Sequence, residues 1–282
     1  MVERRRFGNL IPHLILIVGV TIVAFPVYLA FVASTYDAAT IANGQMPLLP
    51  GSHLVENYVR TIVTGAGSST REPVWRMLVN SFISAAIIAV GKIFISILSA
   101  YALIYFKFPL QKAAFWAIFL TLMLPVEVRI YPTYKVAADL KLLDSYAGLT
   151  LPLIASATAT LLFRQFFMTI PNELVEASRI DGAGPFRFFK DTLLPLSRTN
   201  MAALFVILFI YGWNQYLWPL LITTRDDMQT IVIGIKKMIV VSDALTEWQI
   251  VMATAMLAML PPVAVVVLMQ KLFVRGLVET EK

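Results

Sequence analysis

The sequence predicts an all-α, polytopic membrane protein with six transmembrane helices. Hydrophobic residues make up 59% of the 282 residues, whereas charged residues make up only 14%. The mean hydropathy of +0.76 is too high for a soluble domain of this length, which would need a larger polar surface. Apolar runs of spanning length recur along the chain, so we expect it to cross the membrane several times.

The predicted spans are apolar runs that reach the length of about 20 residues needed to cross a bilayer. They are Leu10–Ser34, Leu78–Phe106, Ala113–Tyr131, Tyr146–Phe167, Thr199–Ile222 and Trp248–Phe273. The first follows Arg4-Arg5-Arg6, but it is too long for a secretion signal and has no convincing cleavage site. We therefore expect it to be retained, within a single transmembrane domain over residues 1–282.

The basic residues predict the orientation of the spans. The chain has 23 Lys and Arg residues against 17 Asp and Glu residues, a net charge of +6. With six spans, the side that holds both termini carries this excess, including Arg179, Arg187 and Lys190, and the other side is slightly acidic. By the positive-inside rule we expect both termini and the segment of residues 172–195 in the cytoplasm. In such a protein the excess does not indicate a nucleic-acid partner.

Several kinds of functional site are excluded by the residues that the chain lacks. It has no Cys and only two His, which are His13 and His53, far apart in sequence. No disulfide or thiolate site is therefore available, and we expect no metal site. The sequence has no Walker-type phosphate-binding motif, and no Ser/His/Asp or paired-carboxylate arrangement indicates catalysis. We expect a chain that is not an enzyme, has no cofactor of its own and takes its energy from another subunit.

Charged residues in or beside the predicted spans are candidates for a solute path. Lys92 lies in the second span, where a charge at the helix centre costs about 2.5–3.5 kcal/mol. It either faces a protein or water-filled interior or extends towards an interface. Glu127 and Arg129 lie between Pro125 and Pro132, which bend or end the third span. They either line the path, or lie among the outer headgroups or pair with neighbouring residues.

Two amides in the fifth span are further candidates for the path. Asn214 and Gln215 are costly in lipid, so they should face protein or water. The neighbouring Trp213, Tyr216 and Trp218 also fit a plain interfacial belt.

The longest polar segment between apolar runs is the 172–195 loop, which predicts two short helices around a turn. Asn172 can cap the first helix, and Glu173 then lies in its first turn, where negative charge is favoured. The sequence Gly182-Ala183-Gly184 should end this helix, because glycine takes left-handed backbone angles at little cost.

The second helix of the loop should begin at Pro185, which suits a first helical position, and Pro195 should limit its length. An α-helical period predicts an apolar face of Phe186, Phe189 and Leu193 and a basic face of Arg187 and Lys190.

The loop resembles the coupling-loop motif of ABC importer permeases. In that motif, Glu-Ala-Ala is followed after three residues by Gly, and nine residues further by Ile-x-Leu-Pro. This chain has Glu176-Ala177-Ser178, Gly182 and Leu194-Pro195 at the same spacing. Ser178 departs from the preferred Ala but is small enough for a close helix contact. Thr192 departs from Ile and slightly weakens the apolar ridge.

Other segments resemble the carbohydrate-type branch of that family, and within it the permeases of sn-glycerol-3-phosphate importers. These segments are residues 122–133, 142–153, 162–168, 212–221 and 273–278. The resemblance implies the type I ABC importer permease architecture with a cytoplasmic coupling helix. It also implies that the chain forms a path for sn-glycerol-3-phosphate together with a homologous permease, in the inner membrane of a bacterium.

The resemblance further implies partners and residue roles. The partners are the homologous permease in a heterodimer, two ATPase subunits that bind ATP and Mg, a periplasmic solute-binding protein and membrane lipid. Contact with the ATPase is implied for Glu176, Ala177, Ser178, Asp181, Gly182, Ala183 and Pro195. The expected path residues are Lys92, Glu127, Arg129, Asn214 and Gln215, of which the two cations suit a phosphorylated, anionic solute.

Three other functions are considered beside this one. A permease of the same family could carry neutral sugars or oligosaccharides instead. A secondary transporter would need repeated halves and coupling-ion carboxylates within its spans, and the sequence has no clear internal repeat. A membrane scaffold without transport activity would leave the loop motif unexplained.

Overall fold

The computed structural model describes residues 10–65, 72–121, 124, 126–239 and 246–278. Most of these residues are helical, and none of them lies in a β-strand, so the predicted all-α fold class is confirmed. The α-helices are α1 (Leu10–Ala33), α2 (Ala38–Ala42), α3 (Leu54–Val63), α4 (Val74–Tyr105), α5 (Gln111–Leu120), α6 (Val126–Asp139), α7 (Tyr146–Thr150), α8 (Ala157–Met168), α9 (Asn172–Ile180), α10 (Pro185–Phe188), α11 (Leu194–Leu196), α12 (Arg198–Trp213), α13 (Leu217–Ile222), α14 (Ile231–Ile239) and α15 (Trp248–Val278).

Three helices are long and apolar enough to cross a membrane, namely Pro12–Ala33 within α1, the whole of α4, and Trp248–Gln270 within α15. Two bent pairs also meet the requirement, Tyr146–Leu153 with Ala157–Met168 at 49° and Pro185–Leu196 with Arg198–Trp213 at 69°. The described residues thus contain up to five candidate spans. The predicted third span includes residues 122, 123 and 125, which lie outside the described residues, and the count of six stays a prediction.

The predicted fifth span, Thr199–Ile222, is not one continuous helix. α12 ends at Trp213, and α13 begins only at Leu217. Pro219 has no N–H to donate to the carbonyl of Gln215, so a helix that continued through this region would lose a hydrogen bond and meet the proline ring. The prediction of an unbroken helix is therefore wrong, and the amides of Asn214 and Gln215 lie at a break.

The described chain divides into two compact units, one within residues 1–76 and 234–260 and the other within residues 77–233 and 261–282. In the first unit, the buried side-chain amide of Asn57 donates to the carbonyls of Ser34 at 2.9 Å and Tyr36 at 2.8 Å. The guanidinium of Arg60 lies 2.7 Å from the carboxylate of Glu247. These contacts attach α3 to the end of α1 and to the segment before α15.

In the second unit, glycines allow helices to come very close together. A Cβ atom on Gly212 of α12 would lie 2.9 Å from Cα of Ala85 in α4. A Cβ atom on Gly91 of α4 would lie 2.7 Å from the side chain of Ile154. Since real Cβ atoms do not approach other atoms this closely, both contacts require glycine.

The carboxylate of Asp144 joins two loops of the second unit. It accepts hydrogen bonds from the N–H of Thr224 at 2.6 Å, the hydroxyl of Thr224 at 2.6 Å and the N–H of Arg225 at 2.9 Å. Burial acts to raise the pKa of Asp144, but these hydrogen bonds and the charge of Arg225 outweigh it and hold the pKa below its usual range. The carboxylate is therefore ionised at neutral pH and holds the segment after α13 beside the start of α7.

Candidate functional site

The first half of the 172–195 loop is helix α9. Pro171, and not Asn172, occupies the N-cap position, so the prediction of an Asn172 cap is wrong. Asn172 has helical angles because Pro171 is extended and already marks the boundary. Glu173 lies in the first turn as predicted, and Arg179 lies in the last turn, so both charges complement the helix dipole.

The turn after α9 is a Schellman motif centred on glycine. Gly182 has a φ of +71°, its N–H donates to Arg179 at 3.0 Å, and the N–H of Ala183 donates to Ser178 at 2.9 Å. No atom lies within 4 Å of the position that a Cβ on Gly182 would take, so only the backbone angle demands glycine here. The predicted helix break at Gly182 is confirmed.

The second half of the loop differs from its predicted periodicity. α10 starts at Pro185 as expected, but a π-helical turn over Phe189–Leu193 follows before α11. A π-helical turn has a wider repeat than an α-helix and shifts the phase of the side chains. Phe189 and Leu193 are buried as predicted, together with Phe188. Phe186 lies before the π-helical turn and is 78% exposed, so the prediction is wrong in placing Phe186 on the buried face.

The π-helical turn also explains how the helix passes Pro195. This residue has no N–H and its ring would meet the carbonyl four residues earlier in a regular α-helix. The wider turn ends directly before α11, and the chain stays helical up to Leu196. α11 ends at Leu196, one residue after Pro195, so the prediction that Pro195 limits the length of this helix is confirmed to within one residue.

The outer surface of the 172–195 loop is exposed and partly apolar. None of the α9 residues is buried, Ile180 is 86% exposed, and Glu176 and Ala177 are also exposed. Ser178 and Ala183 are half-buried, while Asp181, Gly182 and Pro195 are exposed. Exposed large apolar side chains on a charged, well-formed helix are typical of a surface that a protein partner covers.

Beneath α9 lies a cavity of about 290 Å³. It is lined by Tyr101, Tyr105, Phe106, Lys107, Val175, Ser178, Arg179, Ala183, Pro185 and Phe188. These residues come from the end of α4, from α9 and from the start of α10. The loop is thus held against α4 at its second half, while a space separates much of α9 from α4.

Two tyrosines of α4 make the contacts beside this cavity. The hydroxyl of Tyr101 donates to the carbonyl of Pro185 at 2.8 Å. The ring centroid of Tyr101 lies 5.0 Å from that of Phe189, and the ring of Tyr105 lies 5.3 Å from that of Phe188. Sequence reasoning did not select these tyrosines, although their spacing of four residues places them on one face of α4.

Lys92 is buried in the second unit, with only 6% of its surface exposed. Its Nζ lies 3.7 Å from the centroid of the Tyr211 ring, a cation–π contact between α4 and α12. The sequence left two alternatives for the side chain of Lys92. In the structure it faces the protein interior and does not extend to a membrane interface.

A second cavity, of about 90 Å³, brings predicted path residues together. Arg129 of α6, Gln215 at the break after α12 and Tyr211 line it, with Ile130, Thr133, Pro152, Leu153, Leu217 and Trp218. Tyr211 is also the residue whose ring Lys92 contacts. Lys92, Arg129 and Gln215 therefore belong to one polar region around Tyr211, a residue that the sequence analysis did not list as a path candidate.

The other two path candidates are placed differently. Asn214 is exposed, lies at the C-cap of α12 and does not line this cavity. The backbone of Glu127 belongs to α6, but its side chain lies outside the described residues.

The fold is that of an ABC transporter permease. The crystal structure of a bacterial ABC transporter involved in the import of the acidic polysaccharide alginate matches with a TM-score of 0.79, over 96% of this chain and 98% of that chain. The two sequences are only 20% identical, so this similarity concerns the fold alone.

The chain belongs to the family of binding-protein-dependent transport system inner membrane components, whose model matches residues 92–279. The sn-glycerol-3-phosphate transport system permease protein UgpE of Rhizobium meliloti (strain 1021) is 63% identical over the full length of both chains. The protein of the same name from Escherichia coli O157:H7 is 58% identical over the full length of both. The protein is thus a multi-pass inner-membrane transport component, and the family resemblance seen in the sequence is confirmed.

Proposed function

We propose that the chain is a permease subunit of an ATP-driven importer and forms, with a homologous permease, the path for sn-glycerol-3-phosphate. The observation that carries this proposal is the full-length identity of 58–63% to permeases named for that solute. Membership of a binding-protein-dependent family also speaks against a secondary transporter. Residues 1–282 act as one permease domain, with the 172–195 loop as its coupling element.

The loop lies in the cytoplasm together with both termini, and an ATPase subunit covers its exposed surface. Glu176, Ala177, Ser178 and Asp181 supply the contact, and the exposed Ile180 and Phe186 beside them supply apolar area. Gly182 and Ala183 set the angle between the two halves of the loop, and Pro195 sets where the second half ends. The chain binds no cofactor itself, because ATP and Mg are held by two ATPase subunits.

Transport follows from the loop's position between ATPase and spans. ATP binding closes the ATPase dimer and displaces α9 as a short rigid element. The spans then change from an inward-facing to an outward-facing arrangement, and the periplasmic solute-binding protein releases its solute into the path. Solute and energy source thus act on opposite faces of the same membrane domain.

The polar region around Tyr211 recognises the phosphate group. Lys92 and Arg129 supply positive charge, and the amide of Gln215 supplies hydrogen bonds to the same cavity. A dianionic phosphate relieves the repulsion between two neighbouring cations, which a neutral sugar cannot do. Glu127 and Asn214 stay candidates for contact with the solute elsewhere on the path.

Uptake into vesicles that contain the complete complex tests this function. We expect uptake of labelled sn-glycerol-3-phosphate only with ATP inside, loaded binding protein outside and the ATPase subunits present. Excess unlabelled sn-glycerol-3-phosphate should compete, and excess maltose should not. Competition by maltose alone would show a neutral-sugar permease, and uptake that persists without any ATPase subunit would overturn the ATP-driven mechanism.

A further inference from the structure

We propose that Tyr101 is a positioning residue that ties the 172–195 loop to α4, so that a displacement of the loop moves the second span. The inference rests on the proposed function, because it describes how movement of the coupling element reaches the solute path. Tyr101 belongs to α4 and therefore lies outside the 172–195 loop and its coupling-loop motif.

The contacts of Tyr101 reach the loop at two points. Its hydroxyl holds the carbonyl of Pro185, the first residue of α10, and its ring packs on Phe189, the first residue of the π-helical turn. Tyr101 is 9% exposed, so separating α10 from α4 would leave a nearly buried hydroxyl without its partner. The loss of such a bond is unfavourable, which keeps the two elements together.

Because of the cavity beneath α9, the loop and α4 are connected mainly at the contacts of the two tyrosines. It separates Lys107, which follows the end of α4, from Val175, Ser178 and Arg179 of α9, so direct packing there is sparse. A force on α9 therefore reaches α4 chiefly through α10 and the two tyrosines. Of these, Tyr101 alone donates a hydrogen bond to the loop, since the hydroxyl of Tyr105 bonds to Phe167 of α8 at 3.4 Å.

α4 can pass such a displacement on to the solute path. The helix runs from Val74 to Tyr105 without an internal proline, and it carries both Tyr101 and Lys92. At a rise of 1.5 Å per residue the two residues are about 13 Å apart along the helix. A shift of α4 as a rigid rod would therefore move Lys92 relative to the cavity of Arg129 and Gln215.

The test replaces one hydroxyl and leaves the ring in place. In the complete reconstituted complex, Tyr101→Phe should lower the solute transported per ATP hydrolysed at least fivefold, and leave the KM for loaded binding protein unchanged. The matched control is Tyr105→Phe on the same helix, because its hydroxyl bonds to α8 and not to the loop. That variant should keep the wild-type ratio of transport to ATP hydrolysis.

A wild-type ratio for Tyr101→Phe, or an equal loss for Tyr105→Phe, would overturn the inference. The proposed function would survive either result, because ATP-dependent uptake by the unaltered complex tests it separately.

If Tyr101→Phe fails to assemble into the complex, a second measurement still tests the inference. The chain has no Cys, so Lys107→Cys with Val175→Cys introduces a unique pair across the cavity, and Val175 is not among the residues assigned to the ATPase contact. Once this double variant is shown to transport, bridging its thiols with a bifunctional reagent should preserve transport if the loop and α4 move together. Loss of transport on bridging would show that they slide past each other and would contradict the role of Tyr101.

Discussion

Gly212 illustrates how a single missing side chain controls the distance between two helices. Its absent Cβ would lie 2.9 Å from Cα of Ala85, and a backbone atom cannot move without its helix. Gly212→Ala should therefore push α12 away from α4 and lower the midpoint of thermal unfolding in detergent, since overpacking costs about 1–3 kcal/mol. Gly19→Ala is the control, because no atom lies within 4 Å of its added Cβ. An unchanged midpoint for Gly212→Ala would refute the close crossing.

The charges around Tyr211 carry the second prediction at this scale. Lys92→Met and Arg129→Gln each remove one positive charge, and a hydrogen bond to a charged group contributes about 1.5–3 kcal/mol. Each substitution should therefore lower kcat/KM for sn-glycerol-3-phosphate uptake by about 10- to 100-fold, since 1.4 kcal/mol corresponds to about a factor of ten. Lys236→Met, an exchange of the same type in α14, should leave uptake unchanged. Wild-type affinity and rate in both path variants would disprove recognition by these cations.

Some of these residues could be selected from the sequence alone and others could not, for a physical reason. A lysine inside an apolar run is conspicuous because its charge is costly there, so Lys92 could be selected without a structure. Tyr211 and Tyr101 are unremarkable in an apolar run, because a tyrosine also suits a membrane interface. Their roles depend on contacts with residues far away in the chain, Lys92 in one case and Pro185 in the other.

At the scale of elements, the burial of one phenylalanine and the exposure of another in the second half of the loop lead to a prediction. Phe189→Ala should lower the thermal stability of the permease strongly, since Phe→Ala in a packed site costs about 3–5 kcal/mol and Phe189 is only 9% exposed. Phe186→Ala should leave that stability unchanged, because Phe186 is 78% exposed. Under the proposed function it should instead weaken binding of the ATPase subunit. Equal destabilisation by both substitutions would contradict the exposed position of Phe186.

The elements also show what local signals can and cannot predict. Gly182 and Pro185 determine backbone angles by themselves, so the break and restart of the loop could be predicted from their positions. The exposure of Phe186 could not, because helical spacing groups Phe186, Phe189 and Leu193 on one face but does not show which of them a neighbouring helix covers. The break after Trp213 was missed for a related reason: hydropathy averages over a window and does not register that Pro219 removes one backbone donor.

For the whole molecule, the number of spans and their direction follow from different signals. Apolar length is a strong local signal, and α1, α4 and α15 satisfy it within the described residues. Where a span is bent or interrupted, as between α7 and α8, length alone does not decide whether the two helices form one crossing. Direction depends on the charge balance of all loops together, so it needs its own measurement.

Because the chain has no cysteine, labelling a single introduced thiol shows directly on which side of the membrane a segment lies. Glu173→Cys in α9, Lys112→Cys in α5 and Glu56→Cys in α3 each place one thiol at an exposed position. We expect a membrane-impermeant maleimide to label Glu56→Cys in intact spheroplasts, and to label the other two only in inverted vesicles. The Lys112 position controls for shielding of α9 by the ATPase, since it lies outside the loop. Labelling of Glu173→Cys from the outside would place the loop where no ATPase can reach it, and the coupling mechanism would then be wrong.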